Sequence, residues 1–282
     1  MENKYKYIDI HTHVNIHAFD EDAREVTLRT LAEGVAHINV GTQKATSERA
    51  VAIANEHESG VYATVGLHPV HTAKSYHDEN ELGESDKDFT ETGERFLREN
   101  YETLARNPKV VAIGECGLDY FRTEVKTKEI QEEAFIAQIL LANDLEKPLM
   151  LHIRDVQGSA EAYTDAIRLL KAHTKMLGNV HFFAGTYDIA KQFWEMGYST
   201  SFTGVITFAN QYDETIQKAP IEMLHAETDA PYVAPKPFRG ERNEPLHVRE
   251  VYKRIAELRN EDEETVRLAL LKNAETLFHI TL

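Results

Sequence analysis

Short apolar, β-branched runs alternate along this chain with longer stretches in which apolar residues recur every three to four positions. The first run, 5–10, carries into Asp9-Ile10-His11-Thr12-His13. A helical pattern follows over 22–33, with Val26, Leu28, Leu31 and Ala32 as its apolar face and Gly34 as C-cap. A strand at 36–40, a helix at 47–57 and a strand at 61–65 come next, the last ending in Gly66-Leu67-His68-Pro69. Pro108 stops a helix at 95–106, and a strand at 109–114 closes on Glu115. Helix 128–143, strand 149–152, helix 160–173, strand 180–183, helix 188–196, strand 198–202, helix 213–218 and strand 223–228 complete the alternation. A proline-rich loop, 230–245, opens into helices 246–259 and 263–273, with Leu277 and Phe278 in a packing tail.

Eight short strands, apolar as strands covered on both faces must be, predict an α/β fold. The economical form is a (β/α)8 TIM barrel, with residues 1–282 in a single domain. The alternative is a doubly wound open sheet, which carries a glycine-rich phosphate loop after its first strand. HTHVNIH stands there instead. The one irregular region is an acidic insertion at about 71–94, with Asp or Glu at 78, 79, 81, 84, 86, 88, 91 and 94 against Lys74 and Lys87. It reads as a lid or as a solvated loop.

Charge changes the picture in one respect. A balance of 31 basic against 47 acidic residues, −16 in all, disfavours holding duplex nucleic acid on a broad basic face. It leaves a nucleic-acid substrate open, because bound cations and a few arginines reverse the field locally. No run approaches the ~18 apolar residues of a membrane span. The N-terminus runs straight into a strand without a signal-peptide layout. Cys116 is alone, which excludes an intramolecular disulfide. These features predict a soluble cytoplasmic protein with no membrane association and no evident obligate protein partner.

In a barrel the C-terminal ends of all strands meet on one face. His11 and His13, at i and i+2, project together from strand one. Glu115 ends strand four, His152 ends strand five, His181 lies within strand six and Asp229 follows strand eight. Four imidazoles and two carboxylates thus converge, a set able to bind two divalent ions with Glu115 between them. Each has a structural alternative when taken singly. His152 or His181 reads as a hydrogen-bonded core histidine, Glu115 as a helix N-cap partner, and Asp229 as a turn cap. Their joint placement favours the metal reading. Cys116, next to Glu115, points away from the barrel centre and reads as buried and inert.

The segments DIHTH, GLHP, AIGECGLDY, LHIRD, HFFAG, SFTGVITF, ETDAPYVAP, RGERNEP and KNAETLF stand in that order along the chain. Together they resemble the TatD family of metal-dependent hydrolases, within the amidohydrolase superfamily of barrels, over essentially the whole length. The resemblance implies that His11, His13, Glu115, His152, His181 and Asp229 are the metal ligands. It also implies a divalent-metal-dependent deoxyribonuclease with 3′→5′ exonuclease activity on DNA or another phosphodiester. On that reading two cations generate hydroxide from a shared water near neutral pH and neutralise charge on the phosphoryl oxygens. Asp229 orients the nucleophile and takes its proton, so Asp229 and Glu115 are the catalytic pair.

His68 and Arg154, just beyond strands three and five, are placed to contact phosphate, Arg154 in a bidentate pair. Arg239, Arg242 and Lys236 on the last loop hold flanking phosphates or are solvated loop charges. Asn243 and Glu244 fix that loop, and Asp119 stands behind a ligand. The mixed nitrogen and oxygen set accommodates Zn, Mn, Ni or Co, and Mg less readily. HFFAG departs from the usual HCFSG, Phe238 stands where a basic or imidazole residue is common, and the insertion is longer than usual. These departures bear on substrate choice more than on metal. The same centre also suits a metal-dependent ester or amide hydrolase such as a D-aminoacyl-tRNA deacylase. A degraded enzyme serving as a binding module is disfavoured by the intact ligand set.

Overall fold

A computed structural model describes residues 4–73, 79–82, 93–123 and 127–282. Eight strands pair in parallel and in sequence order: β1 (Tyr7–Thr12), β2 (Val35–Val40), β3 (Val61–Val65), β4 (Val110–Asp119), β5 (Leu149–Arg154), β6 (Gly178–Val180), β7 (Ser199–Phe202) and β8 (Leu224–Ala226). Helices α1 (Ala23–Ala32), α2 (Lys44–Asn55), α3 (Glu79–Leu82), α4 (Arg98–Ala105), α5 (Lys128–Leu145), α6 (Glu161–His173), α7 (Tyr187–Glu195), α8 (Asp213–Lys218), α9 (Val248–Arg259) and α10 (Glu263–Phe278) run between and after them. This is the expected TIM barrel. Among the described residues no helix is long and apolar enough to cross a membrane. Within the insertion, 74–78 and 83–92 lie outside the described residues, so the lid expectation does too.

The last strand returns to the first largely through one side chain. Asp9, fully buried, accepts from the Thr228 amide at 2.9 Å and from the Thr228 hydroxyl. Backbone bonds from Asp229 N to His11 O (2.9 Å) and from His13 N to Ala230 O (2.8 Å) continue the join toward the strand ends. One apolar cluster packs strands against surrounding helices. Another gathers Ile8, Ile10, Ala36, Ile38 and Met150 against Leu271, Ala274 and Phe278 of α10.

Two irregularities in strand pairing aim the site. Ile8 and Ile10 share the α10-side cluster, so strict alternation would send Thr12 the same way and His11 and His13 the opposite way. Between Asp9 and Thr12, however, β1 advances three residues while β2 advances two, from His37 to Asn39. This one-residue bulge inverts the phase. A second lies between Ile113 and Cys116, where β5 advances only from Leu149 to Leu151, and it aims Glu115. Gly114 and Gly117 flank that residue because β4 presses on β5. A Cβ at Gly114 would lie 2.3 Å from Met150 O, and one at Gly117 2.0 Å from His152 O. Two buried glutamines on one face of α5 clamp the neighbouring strand ends. Gln138 bonds both backbone groups of Leu67, and Gln131 both of Asp119.

Several expectations need correction. β4 (Val110–Asp119) and β5 (Leu149–Arg154) run past Glu115 and His152, so neither residue ends its strand, and Arg154 closes β5 instead of following it. β6 is Gly178–Val180 and β8 is Leu224–Ala226, so His181 follows β6 and is not inside it. Apolar residues continue past β6 as Phe182 and Phe183, while β8 gives way to the polar Glu227 and Thr228, and the backbone turns left-handed at Phe182 (φ 41°) and Asp229 (φ 55°). On α1, Leu28 is 48% exposed, and the buried face is Val26, Thr27 and Thr30. Thr30 hides its hydroxyl by donating it to Val26 O at 2.7 Å.

Two histidines are buried for packing alone. His37 on β2 and His225 on β8 are fully enclosed, and burial pushes each imidazole down to about 3, His57 adding a little at His37. Below about pH 6.5 the unfolded chain protonates both, while the folded protein does not until about pH 3. Stability should therefore fall as pH drops through that window, by up to about 1.4 kcal/mol per pH unit for each group. Urea unfolding of His37→Leu between pH 4 and 6 should show about one such slope fewer than wild type. An unchanged slope would mean that His37 takes a proton in the folded state.

Candidate metal centre

Five of the six sequence-predicted donors line a cavity of about 410 Å³ toward the C-terminal ends of the strands, and the sixth, His11, is buried directly against them. Glu115 is the hub. Its Oε1 lies 2.8 Å from His152 Nδ1, 2.8 Å from His181 Nε2 and 3.2 Å from His68 Nε2. Its Oε2 lies 3.3 Å from His11 Nε2 and 3.7 Å from His13 Nε2. Asp229 Oδ1 approaches the same pair, 3.3 Å from His13 and 3.7 Å from His11. The His11 and His181 rings stack at 3.8 Å.

These residues fit divalent cations on two grounds. The first is which ring nitrogens are left bare. His13 Nδ1 lies 3.0 Å from Val40 O, which only accepts, so Nδ1 carries the hydrogen and Nε2 presents a lone pair to the cavity. His152 Nε2 lies 3.0 Å from Asp119 Oδ2, which frees Nδ1 in the same way. His181 Nδ1 faces Glu227 Oε1 at 3.7 Å, while Nε2 faces Glu115. The second ground is spacing. His11 Nε2 and His13 Nε2 stand 3.2 Å apart, close to the separation of two nitrogens each held at about 2.1 Å by one ion.

The electrostatics agree. Burial would raise Glu115, but the imidazoles of His181, His68 and His11 outweigh it and hold the carboxyl well below its ordinary range. Asp119 and Asp229 are likewise lowered against burial, chiefly by His152 and His13 respectively. His13 is raised to about 9 against burial, by Asp229 and Glu115, and His181 is raised well above its ordinary value by Glu115 and Glu227. The floor therefore favours positive charge. His68 is lowered to about 4, by burial and then by His152. Its Nδ1 accepts the Val70 amide at 3.1 Å, so the neutral ring carries its hydrogen on Nε2, toward the cavity.

Of the predicted phosphate contacts, His68 and Arg154 line the cavity. Arg154, the last residue of β5, lies 4.3 Å over the Phe121 ring and has no carboxylate at ion-pair distance among the described residues. Arg239 and Arg242 stand on the rim beside their own neighbours. Arg242 is spent on Asp22, on Ala18 O and on the Phe19 ring. Arg239 lies over Phe208 and donates to Ala234 O. Neither lines the cavity, because each answers a neighbour on its own rim. Asn243 fixes the loop as expected, donating to Thr228 O and Tyr232 O, and Glu244 pairs with Arg29. Phe238 stacks on His247. Cys116 is buried, and burial pushes its thiol up.

Four residues escaped the sequence reading. Glu227 carries the same i, i+2 relation to Asp229 that singled out His11 and His13. It is buried and accepts from Ser201 Oγ and the Phe182 amide. Arg122, Tyr212 and Glu81 line the cavity from loops and short helical turns outside the strands, where no period marks them.

A model of TatD-related DNases matches residues 8–279. The chain is 35% identical over 277 residues to the uncharacterized metal-dependent hydrolase YabD of Bacillus subtilis, covering 96% of this chain and 98% of that one. It is 34% identical over 284 residues to the 3′-5′ ssDNA/RNA exonuclease TatD of Citrobacter rodentium, covering 97% and 98%. Among solved structures, the TatD homologue YjjV of Escherichia coli K12 superposes with a TM-score of 0.81 at 29% identity, covering 98% and 99%.

Proposed function

The chain belongs to the TatD-related DNase family of metal-dependent hydrolases, and on that footing we propose that it is a 3′→5′ exonuclease that hydrolyses phosphodiesters of single-stranded DNA. The observation that carries this reading is the pairing of the Glu115-centred donor set with Arg154, a guanidinium at the same cavity without a carboxylate partner among the described residues. His11, His13, Glu115, His152, His181 and Asp229 would hold two divalent cations, Glu115 shared between them. When bound, such cations lower the pKa of water and offset charge on phosphoryl oxygens.

The chain's own residues do the rest. Arg154, presented edge-on by its stacking over Phe121, clamps a non-bridging phosphate oxygen pair. His68 donates from Nε2 to the same phosphate and remains neutral. Asp229 accepts the proton of the attacking water as the bond from phosphorus to the 3′-oxygen of the preceding nucleotide breaks. Asp119 holds His152 in orientation from behind, and Glu227 faces His181 Nδ1 at 3.7 Å.

The competing reading, ester or amide hydrolysis, calls for a neutral lining, and Arg122 with Arg154 disfavours it. The test is a panel on metal-loaded protein: a 5′-labelled single-stranded oligonucleotide, a simple phosphodiester and an aminoacyl ester. A ladder of oligonucleotides shortened from the 3′ end supports the exonuclease, and cleavage of the ester alone overturns it. Arg154→Ala should raise KM for the oligonucleotide by about 10–100-fold, the range for a lost charge-assisted contact. Arg154→Lys should recover only part, lacking the planar fork. An unchanged KM in both variants would remove Arg154 from the phosphate site.

A further inference from the structure

One wall of the cavity has no task in this hydrolysis. It lies on the β2–β3 side of the rim, away from Arg122 and Arg154 on the β4–β5 side, and its polar group is Glu81 of α3. The Glu81 carboxylate is fixed twice through Oε1. His71 Nε2 lies 2.9 Å away, and the Thr42 hydroxyl donates to the same oxygen. Thr42 is itself tied to Thr46, both through its amide and through its hydroxyl, at 2.9 Å. His71 is buried beside His68, their rings 6.0 Å apart. Oε2 of Glu81 has no hydrogen-bond partner among the described residues. An anion held rigidly at the edge of a phosphodiester site is counterproductive for passing polynucleotide, since every internal nucleotide brings a second phosphate. It suits one position only. The terminal nucleotide alone carries a free hydroxyl where the others carry phosphate, and a fixed carboxylate accepts the first and repels the second. The cavity, near the lower end of the roughly 300–1,000 Å³ range of small-ligand pockets, has room for a terminal nucleotide.

We propose that Glu81, set in place by Thr42 and His71, reads the free 3′-hydroxyl of the terminal nucleotide and rejects a 3′-phosphate, so that cleavage starts at a chain end. The proposal rests on the exonuclease reading above. Three oligonucleotides alike except for a 3′-hydroxyl, 3′-phosphate or 3′-deoxy terminus separate the two. Metal-loaded wild type should favour the 3′-hydroxyl over the 3′-phosphate by at least about 100-fold in kcat/KM for the first nucleotide released, and over the 3′-deoxy end by about 10-fold. E81Q keeps an acceptor for Thr42 and His71 and removes the charge. It should narrow the phosphate ratio to below about 10-fold and lower kcat/KM on the 3′-hydroxyl substrate by up to about the 10-fold that separates it from the 3′-deoxy end. If wild type degrades all three ends at similar rates, the Glu81 assignment fails and the exonuclease stands. If wild type discriminates and E81Q discriminates equally, another group reads the end. If wild type shortens none of them, the exonuclease reading falls and this inference with it. Loss confined to an aminoacyl ester in E81Q would assign the carboxylate to an ammonium and overturn the proposal.

Discussion

Replacing Glu115 with alanine should lower oligonucleotide cleavage by at least about 10³-fold and cost the protein its divalent cations at one or both positions. The reason is geometric. Its two oxygens face different partners, Oε1 toward His152, His181 and His68, and Oε2 toward His11 and His13. Asp229 comes within 4 Å of His11 and His13 alone among these imidazoles. Removing it also strips five buried imidazoles of their shared anion, and loss of one partner from a buried charged set costs about 3–5 kcal/mol. The metal-free variant should accordingly unfold at lower denaturant. Glu115→Gln, with the same volume, separates packing from charge: it should restore part of the stability and little of the activity. Metal content, denaturant midpoint and cleavage rate measured on both variants decide the matter. Wild-type metal stoichiometry with activity within tenfold would show that Glu115 is not shared.

Asp229→Asn should be as inactive, with a fall in kcat of at least about 10³-fold, while keeping the backbone turn and losing the charge beside His13. Asp229 sits at φ 55°, the left-handed region that Asp and Asn enter with little penalty. Asparagine therefore keeps the turn that carries the chain from β8 into Ala230-Pro231, while losing the basic oxygen beside His13. Asp229→Ala lacks that tolerance and should lose a further 1–2 kcal/mol or so of stability. The pair thus separates chemistry from backbone. Steady-state kinetics should show the asparagine variant binding oligonucleotide with KM near wild type. Activity within tenfold of wild type would place the proton acceptor elsewhere.

The barrel and the six converging donors were legible because both are periodic. Strands of β-branched residues separated by helices announce the fold, and the donors fall at the ends of those strands. What periodicity could not convey is phase. The bulges at 9–12 and 113–116 decide which face His11, His13 and Glu115 occupy, and nothing in the apolar pattern marks an extra residue. The end of β6 was overextended because apolar content persists through Phe182, where the backbone turns left-handed, to Phe183. Arg239 and Arg242 resemble phosphate ligands in sequence, yet Phe208 and Asp22, far away in the chain, claim them. Glu81 lies in an acidic run where each carboxylate looks like its neighbours. Only contacts with Thr42 and His71 distinguish it.

The join between the first and last strands has a bearing on synthesis. Asp9 emerges from the ribosome 219 residues ahead of the Thr228 groups it grips to close the barrel, and His11 and His13 emerge well ahead of Asp229. A nascent chain halted anywhere before them can stack strands and bury helices, yet its opening pair of imidazoles lacks both its neighbouring carboxylate and the strand that seats it. A hydrolase assembled in this order is silent while it is being made.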